Sequence, residues 1–291
     1  MKMNMIHSSI NSSTVMYGVF GDPVRHSKSP IMLNRAFQEV GLNAAYAAFH
    51  VPPKSLKDAV YGIKALNFRG INVTIPHKVE VMKYLDVIDD SARAIGAVNT
   101  IVNDNGRLIG YNTDGIGYVR SLKEETNFSI EGKRILVLGA GGAARGIVYA
   151  LAKANPSKIW IANRTIDKAV ELAAALESAV DCYGMGLDEI KAVMNQVDLV
   201  VNTTSTGMHP NIDEVPMNPA FLHPGLIVSD LVYNPLITKW LGLAKERGAR
   251  VHSGLGMFIY QGAYAFEYWT GLAAPTAAMR EVVEQSFAGG V

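Results

Sequence analysis

Two side chains in this sequence have the types and settings to move a proton. Lys78 ends the stretch "GINVTIPHK" (70–78), and Asp114 lies in "GYNTDG" (110–115). In the first stretch Ile71, Val73 and Ile75 alternate with Asn72, Thr74 and Pro76, the period-2 pattern of a half-buried strand over "GINVTI". Asn72 and Thr74 therefore share a face. A solvent face more often carries Lys, Glu or Arg, and Asn is a poor strand former, so the amide and the hydroxyl point at a ligand. Reduction of a carbonyl by hydride needs a proton donor beside the developing alkoxide. Lys78 can serve if a neighbour orients it and its surroundings lower its pKa. Asp114 is placed to be that neighbour, at the junction of two domains, where a cleft is expected.

The hydride source is suggested further on. "GAGGAAR" (139–145) directly follows the apolar run "RILVL" and opens a helical pattern. This strand–turn–helix setting is what gives a glycine fingerprint meaning. Gly139, Ala140, Gly141, Gly142 and Ala143 make the turn. Gly139 allows its tightness, Gly141 lets the backbone approach a pyrophosphate, and Ala144 fills the third fingerprint position. Arg145 either touches phosphate or is a solvated helix residue. The next strand ends "ANRTIDK". An NAD site usually has Asp or Glu there to bond the ribose 2′-hydroxyl. Here Asn163 takes that place, Arg164 follows, and Lys168 lies one helical turn on. An arginine pairs with a 2′-phosphate, so the expected cofactor is NADP. Thr165 either caps the following helix or bonds the phosphate.

These residues need elements to hold them. "VMYGVFG", "AAYAAFHV" and "GINVTI" read as strands. "SPIMLNRAFQEVG" reads as a helix with Ser29 as N-cap, Pro30 at N1 and Gly41 as stop, and "SLKDAVYGIKAL" and "KVEVMKYLDVI" read as helices. "AVNTIVNDNGRLIGYNTD" reads as a hairpin turning at Asn105-Gly106. Beyond the polar stretch "KEETNFSIEGK", the strands "RILVL", "KIWIANR", "DLVVNTT", "GLIVSDLVY" and "ARVHSG" alternate with helices, which indicates a parallel, helix-covered sheet. Two helices, "GMFIYQGAYAFEYWT" and "TAAMREVVEQSF", end the chain. The expected fold class is α/β with two domains. Residues 1–114 form an α/β substrate-binding and catalytic domain to which 256–291 return, and 115–255 form a Rossmann-like, doubly wound dinucleotide-binding domain. Periodicity alone does not require the return.

Composition narrows the function classes. The chain has 291 residues, 49% hydrophobic and 18% charged, with a formal net charge of +1. That balance is globular and gives no electrostatic case for nucleic acid or an anionic membrane. No apolar run reaches the length of a membrane span. "MKMNMIHSSINSSTV" has no apolar h-region and reads as a ragged N-terminal tail rather than a signal peptide. Seven His are scattered without metal-ligand spacing, so no metal is expected. A single cysteine, Cys182, excludes an internal disulfide and fits a reducing, cytoplasmic setting.

Taken in order, "SKSP" (27–30), "NVTIPHK" (72–78), "GAVNT" (96–100), "NTDG" (112–115), "GAGGAAR" (139–145), "NRT" (163–165) and "GLGMFIYQG" (254–262) resemble the shikimate dehydrogenase family. The resemblance covers nearly all of the chain from about residue 17. It implies reversible NADPH-dependent reduction of 3-dehydroshikimate to shikimate, with Lys78 and Asp114 as the catalytic pair. Ser27 and Ser29 would bind the substrate carboxylate, Asn72 and Thr74 would contact the substrate, and Asn99 and Gln261 would bond ring hydroxyls. Tyr233, Gly254 and Met257 would lie near the nicotinamide and substrate. Lys28 departs from the family, which more often has Leu there, and faces either substrate or solvent. Lys168 replaces an Arg found in many NADP-using members, keeping the charge but losing the bidentate fork. The alternatives are a quinate/shikimate dehydrogenase using NAD, and a sensor that binds without turnover. Either a monomer or a homodimer fits.

Overall fold

The computed structural model describes residues 10–288. Most of the expected N-terminal tail, residues 1–9, lies outside the described residues. Its last part is anchored: Thr14 Oγ1 donates to Asn43 Oδ1 (2.8 Å), and Asn43 Nδ2 donates to Ser13 Oγ (3.0 Å). The chain forms two compact units, Met1–Thr113 with Gly262–Val291, and Asp114–Gln261.

The first unit begins β1 (Val15–Gly21), α1 (Ser29–Glu39), β2 (Ala44–His50), α2 (Leu56–Ala65) and β3 (Gly70–Val73). It continues with β4 (Val87–Ile88), α3 (Asp90–Ile95), β5 (Thr100–Asp104) and β6 (Arg107–Tyr111). The sheet order is β2-β1-β3-β5-β6-β4. β1 pairs in parallel with β2 and β3, whereas β5 runs antiparallel to β3 and β6. The expected hairpin is present, with Asn105 at φ 51° and Gly106 at φ 91°, as a tight two-residue turn requires.

Three local expectations are corrected. β3 stops at Val73, two residues early, and Ile75 to Val79 form a turn. Pro76 has no N–H to give a ladder. The helix expected from Lys78 shrinks to a 3-10 turn at Glu80–Tyr84 followed by β4. Ser29 is not the N-cap. Lys28 holds that position with helical dihedrals (φ −87°, ψ −1°), and Ser29 and Pro30 are the first two helical residues. Ser27 Oγ accepts the Ser29 N–H instead (3.2 Å).

The second unit contains α4 (Asp114–Thr126), β7 (Arg134–Leu138), α5 (Gly142–Ala152), β8 (Lys158–Ala162) and α6 (Ile166–Ala174). These are followed by β9 (Cys182–Met185), α7 (Ile190–Val193), β10 (Leu199–Asn202), β11 (Ile227–Asp230), α8 (Lys239–Glu246) and β12 (Arg250–His252). The chain returns to the first unit within α9 (Gly254–Thr270) and ends in α10 (Thr276–Ala288). The second sheet is wholly parallel, in the order β12-β11-β10-β7-β8-β9. Counted from β7 this is the 3-2-1-4-5-6 order of a doubly wound dinucleotide fold. Alternate residues feed two cores: Ile135, Val137, Ile159 and Ile161 on one face, Leu136, Leu138, Trp160 and Ala162 on the other. β9, with the buried Cys182, was not anticipated, because Gly184 weakens the strand pattern.

One side of the first sheet packs Ile71, Val73, Ile101 and Leu108 with Val60 and Ile63 of α2. The other receives α1 and the second half of α9. Tyr17 stacks on Phe37 at 4.8 Å, Phe37 meets Phe266 at 5.5 Å, and Trp269 Nε1 donates to the Ile101 carbonyl (2.9 Å). Gly70 makes room for that indole: a Cβ there would lie 2.1 Å from Trp269 Nε1. Gly70→Ala should therefore destabilise the protein by about 2 to 3 kcal/mol through overpacking. Gly62→Ala in α2, where a Cβ meets nothing within 4 Å, should be neutral or stabilising by up to about 1 kcal/mol. Denaturant midpoints of the two variants, compared with the parent, check the contrast.

Candidate active site

In the first unit the end of β3 and the start of β5 carry a chain of buried polar groups. Asn72 is 8% exposed, Asn99 2%, and Thr100 and Thr113 0%. The buried Tyr46 hydroxyl of β2 donates to Asn72 Oδ1 (2.7 Å). Asn72 Nδ2 donates to the Asn99 carbonyl (3.2 Å) and to Thr100 Oγ1 (3.1 Å). Thr100 Oγ1 donates to Asn99 Oδ1 (3.0 Å), which also accepts the Thr113 N–H (2.9 Å). Ser29 also hydrogen-bonds Tyr46, whose phenol is pushed well above its ordinary range, chiefly by burial. Ser29, Asn72 and Asn99 are thus brought together by residues that pattern reading passed over. Tyr46 and Thr100 looked like ordinary strand formers.

Thr74 follows β3, where its N–H donates to the Phe20 carbonyl (2.9 Å), and a Cβ on Gly21 would press to 2.4 Å from its methyl. Lys78 ends the same turn. Two bonds hold that turn: His77 Nε2 contacts the Val51 carbonyl at 2.6 Å, and the Val98 N–H donates to the Lys78 carbonyl at 2.8 Å. Lys28 turns to α10, with its ammonium 5.4 Å from the centre of the Phe287 ring.

In the second unit, Asp114 is the first residue of α4 and only 6% exposed. The glycine turn has the geometry a pyrophosphate needs. Gly139 has φ +108°, and a Cβ there would lie 2.7 Å from Thr203 Oγ1. A Cβ on Gly141 or Gly142 would meet nothing within 4 Å, so the exposed start of α5 presents bare backbone N–H groups. At the end of β8, Asn163 Nδ2 folds back onto the Thr165 carbonyl (2.9 Å) and shapes the turn that presents exposed Arg164. Thr165 occupies the N-cap of α6 but makes no side-chain cap bond, so its hydroxyl does not serve the helix. Lys168 is exposed one turn on. Arg145 pairs with Glu171 at 3.3 Å. Arg164, Lys168 and the open turn fit a dinucleotide bearing an extra phosphate.

Further residues of the unit have visible packing reasons. Tyr233 stacks on Phe258 at 4.6 Å, and burial raises its phenol pKa. A Cβ on Gly254 would lie 2.1 Å from the Leu231 carbonyl, so only glycine lets α9 start there. Met257 packs on the core between α4 and α5. Gln261 Nε2 donates to the Phe258 carbonyl of its own helix (2.8 Å). Sequence reading also missed Asp230, at the end of β11 beside Asn202 of β10. Its buried carboxyl accepts from Val232 N–H (3.0 Å), Thr238 Oγ1 (2.8 Å) and Asn202 Nδ2 (3.0 Å).

A doubly wound parallel sheet with this turn, in a chain whose other unit bears a buried polar face, defines a two-unit nicotinamide-dependent dehydrogenase. Comparison with known proteins narrows the class. The model for the shikimate dehydrogenase substrate binding domain matches residues 19–101. That for shikimate / quinate 5-dehydrogenase matches 121–221, and that for the shikimate 5'-dehydrogenase C-terminal domain matches 254–284. The chain is 52% identical to a shikimate dehydrogenase (NADP(+)) of Geobacillus sp. (strain WCH70), over 94% of this chain and 99% of that protein. A crystal structure of a shikimate dehydrogenase in complex with NADP+ is 46% identical, with a TM-score of 0.90 over 95% of this chain and 97% of that one. The Listeria monocytogenes shikimate 5-dehydrogenase, in complex with shikimate and NAD, is 39% identical, with a TM-score of 0.89 over 96% of this chain and 100% of that one. The chain belongs to the shikimate dehydrogenase family. Among the described residues no helix is long and apolar enough to cross a membrane.

Burial pushes the Asp230 carboxyl up to about 6 from 3.8, against the lowering effect of its three donors. A raised folded-state value means a contribution to stability that is full below about pH 3.8 and lost as pH rises through about 6. The loss is up to about 3 kcal/mol. Asp230→Asn cannot titrate, so the stability of the parent relative to this variant should fall by that order as pH is raised from about 4 to 8. Denaturant titrations of both proteins across that range check it, and parallel curves would refute it.

Proposed function

We propose that this chain catalyses the reversible NADPH-dependent reduction of 3-dehydroshikimate to shikimate, in the shikimate pathway of aromatic amino acid biosynthesis. The observation that carries the reading is the buried polar face of the first unit. Asn72 and Asn99 are hydrogen-bonded there through Thr100, and the Lys78 turn follows on from the same strand. A site built from amides and hydroxyls discriminates well, because a ligand lacking the matching hydroxyls leaves buried groups unpaired. Membership of the shikimate dehydrogenase family supports a hydroxylated ring as the ligand of that face.

NADPH, when bound, supplies the hydride that reaches the ring ketone. Gly139, Ala140, Gly141, Gly142 and Ala143 receive its pyrophosphate at the start of α5. Arg164 and Lys168 hold the 2′-phosphate, Asn163 and Thr165 shape and complete that subsite, and Tyr233, Gly254 and Met257 form the nicotinamide end. Ser27 and Ser29 anchor the substrate carboxylate. Asn72, Thr74, Asn99 and Gln261 orient the ring by its hydroxyls. Lys78 delivers a proton to the oxygen that becomes a hydroxyl, and Asp114 accepts a hydrogen bond from it; in the reverse direction the pair removes the same proton. The reducing setting that suits the single buried thiol of Cys182 is the cytoplasm.

The assay follows NADPH absorbance with 3-dehydroshikimate, against NADH and dehydroquinate in parallel. Turnover should be strongest by far with NADPH and 3-dehydroshikimate, and no turnover from folded, NADPH-binding protein would move the function to a sensor. Lys78→Ala should lower kcat by about 10²- to 10⁴-fold, and a loss below about tenfold in folded protein would remove Lys78 from that role. Arg164→Ala should raise KM for NADPH by about tenfold or more while leaving KM for NADH nearly unmoved.

A further inference from the structure

Asp230 is the last residue of β11 and lies in register with Asn202, the last residue of β10. Both are buried, at the carboxyl ends of strands, where a doubly wound fold places its ligand crevice. The partners fix each bond. Asn202 Oδ1 faces the Thr204 N–H, which can only donate (3.0 Å), and its Nδ2 faces the Thr206 carbonyl, which can only accept (3.2 Å). Asn202 Nδ2 therefore donates to Asp230 Oδ1 (3.0 Å), and so does the Val232 N–H (3.0 Å). Asp230 Oδ2 takes the Thr238 hydroxyl (2.8 Å).

The two bonds on Oδ1 lead to two parts of the proposed cofactor subsite. Asn202 holds the segment 203–206, because its Oδ1 also accepts the Thr204 hydroxyl (2.7 Å). That segment braces the glycine turn. Thr203 donates twice to the Leu138 carbonyl, from its N–H (2.9 Å) and from Oγ1 (2.7 Å). A Cβ on Gly139 would lie 2.7 Å from Thr203 Oγ1 and 3.0 Å from the Thr204 methyl. Val232 precedes Tyr233, and its carbonyl accepts the Gly254 N–H (3.3 Å). Backbone bonds from Leu231 to Asn202 (3.0 Å) and from His209 to Asn234 (3.1 Å) keep the two segments adjacent. The Asp230 carboxylate adds a common point at which the Asn202 amide and the Val232 N–H are held.

We infer that Asp230 is a positioning residue for the dinucleotide: through one carboxylate oxygen it holds both the segment that braces the glycine turn and the turn that carries Tyr233 and meets Gly254. The inference rests on the reading above that the glycine turn receives the pyrophosphate and that Tyr233 and Gly254 form the nicotinamide end. Pyrophosphate and nicotinamide are common to NADPH and NADH. Loss of the carboxylate therefore weakens both cofactors by the same factor, whereas loss of Arg164 acts through the 2′-phosphate that NADPH alone carries.

Kd for NADPH and for NADH is read from nicotinamide fluorescence on titrating the folded full chain. Asp230→Ala leaves the Asn202 amide and the Val232 N–H without their acceptor. It should raise both Kd values by about tenfold, the value of one lost hydrogen bond in a buried site, with KM for 3-dehydroshikimate within about threefold of the parent. Asp230→Asn can offer its oxygen to Asn202 and Val232 and its nitrogen to Thr238, and should recover most of the affinity. Thr238→Val removes the Oδ2 bond and the cap of α8 at Leu241 N–H. It should lower the melting temperature and leave both Kd values nearly unmoved. Asn202→Ala cuts the link from its other side, should repeat the effect of Asp230→Ala, and decides the matter if the Asp230→Ala protein does not fold. Arg164→Ala is measured beside them. If it raises Kd for NADPH while Asp230→Ala and Asn202→Ala lower only the melting temperature, Asp230 is merely structural and the inference is overturned alone. A Thr238→Val protein that binds both cofactors as weakly as Asp230→Ala would also overturn it, as general loosening. If no variant moves either Kd, the reading of the dinucleotide site is overturned as well.

Discussion

A polar group taken out of water must be given a partner or it costs more than the fold can spare. That constraint governs the first unit. A ligand-reading surface needs amides and hydroxyls, but the strands that hold them, β3 and β5, lie in the middle of a six-stranded sheet. The unit meets both demands by bonding the polar side chains to one another before any ligand arrives. Tyr46, Asn72, Thr100, Asn99 and Thr113 form one continuous series. The aromatic packing of Tyr17, Phe37, Phe266 and Trp269 then covers the same side of the sheet with groups that ask for little hydrogen bonding.

The second unit solves a different problem. Its strands need only bury apolar surface on two faces, which alternate residues of β7 and β8 do. The chemistry is left to the strand ends, where backbone groups run out of ladder partners. Gly139 and Gly141 lie after β7, Asn163 and Arg164 after β8, Thr203 after β10, and Asp230 ends β11. Here the architecture supplies backbone donors and needs side chains mainly to add charge.

This difference decides how much could be read from the amino acids. Backbone-driven features were legible: the glycine turn with its flanking strand and helix, the Asn105-Gly106 hairpin, and β1, whose bounds match the pattern residue for residue. The absence of an acid at Asn163 was equally plain. Features that depend on non-local partners were not. Thr100 is β-branched and Tyr46 aromatic, so both satisfy strand propensity and betray nothing of the bonds they make. Asp230 reads as half of a polar pair with Ser229 in an apolar run until Asn202 and Thr238 are seen to converge on it. Ser29 misled because it is a good capping residue at a helix start. Capping also requires a backbone conformation, and the residue ahead of it is already helical. Lys28, ambiguous on composition, lies with its ammonium 5.4 Å from the centre of the Phe287 ring, a neighbour over 250 positions away that no local pattern announces.

The position of the only cysteine gives the molecule a chemical property unrelated to catalysis. Cys182 begins the edge strand β9, yet it is buried, and burial together with nearby Asp181 and Glu177 pushes its thiol to about 12. At neutral pH about one molecule in 10⁵ holds the reactive thiolate. Alkylating reagents and mild oxidants therefore meet an inert sulfur while β9 stays in place. Unfolding of that edge returns the thiol to its ordinary acidity and raises its reactivity by orders of magnitude. The native chain thus carries a single-site chemical clock for the opening of one edge of its nucleotide-binding sheet, with no label added.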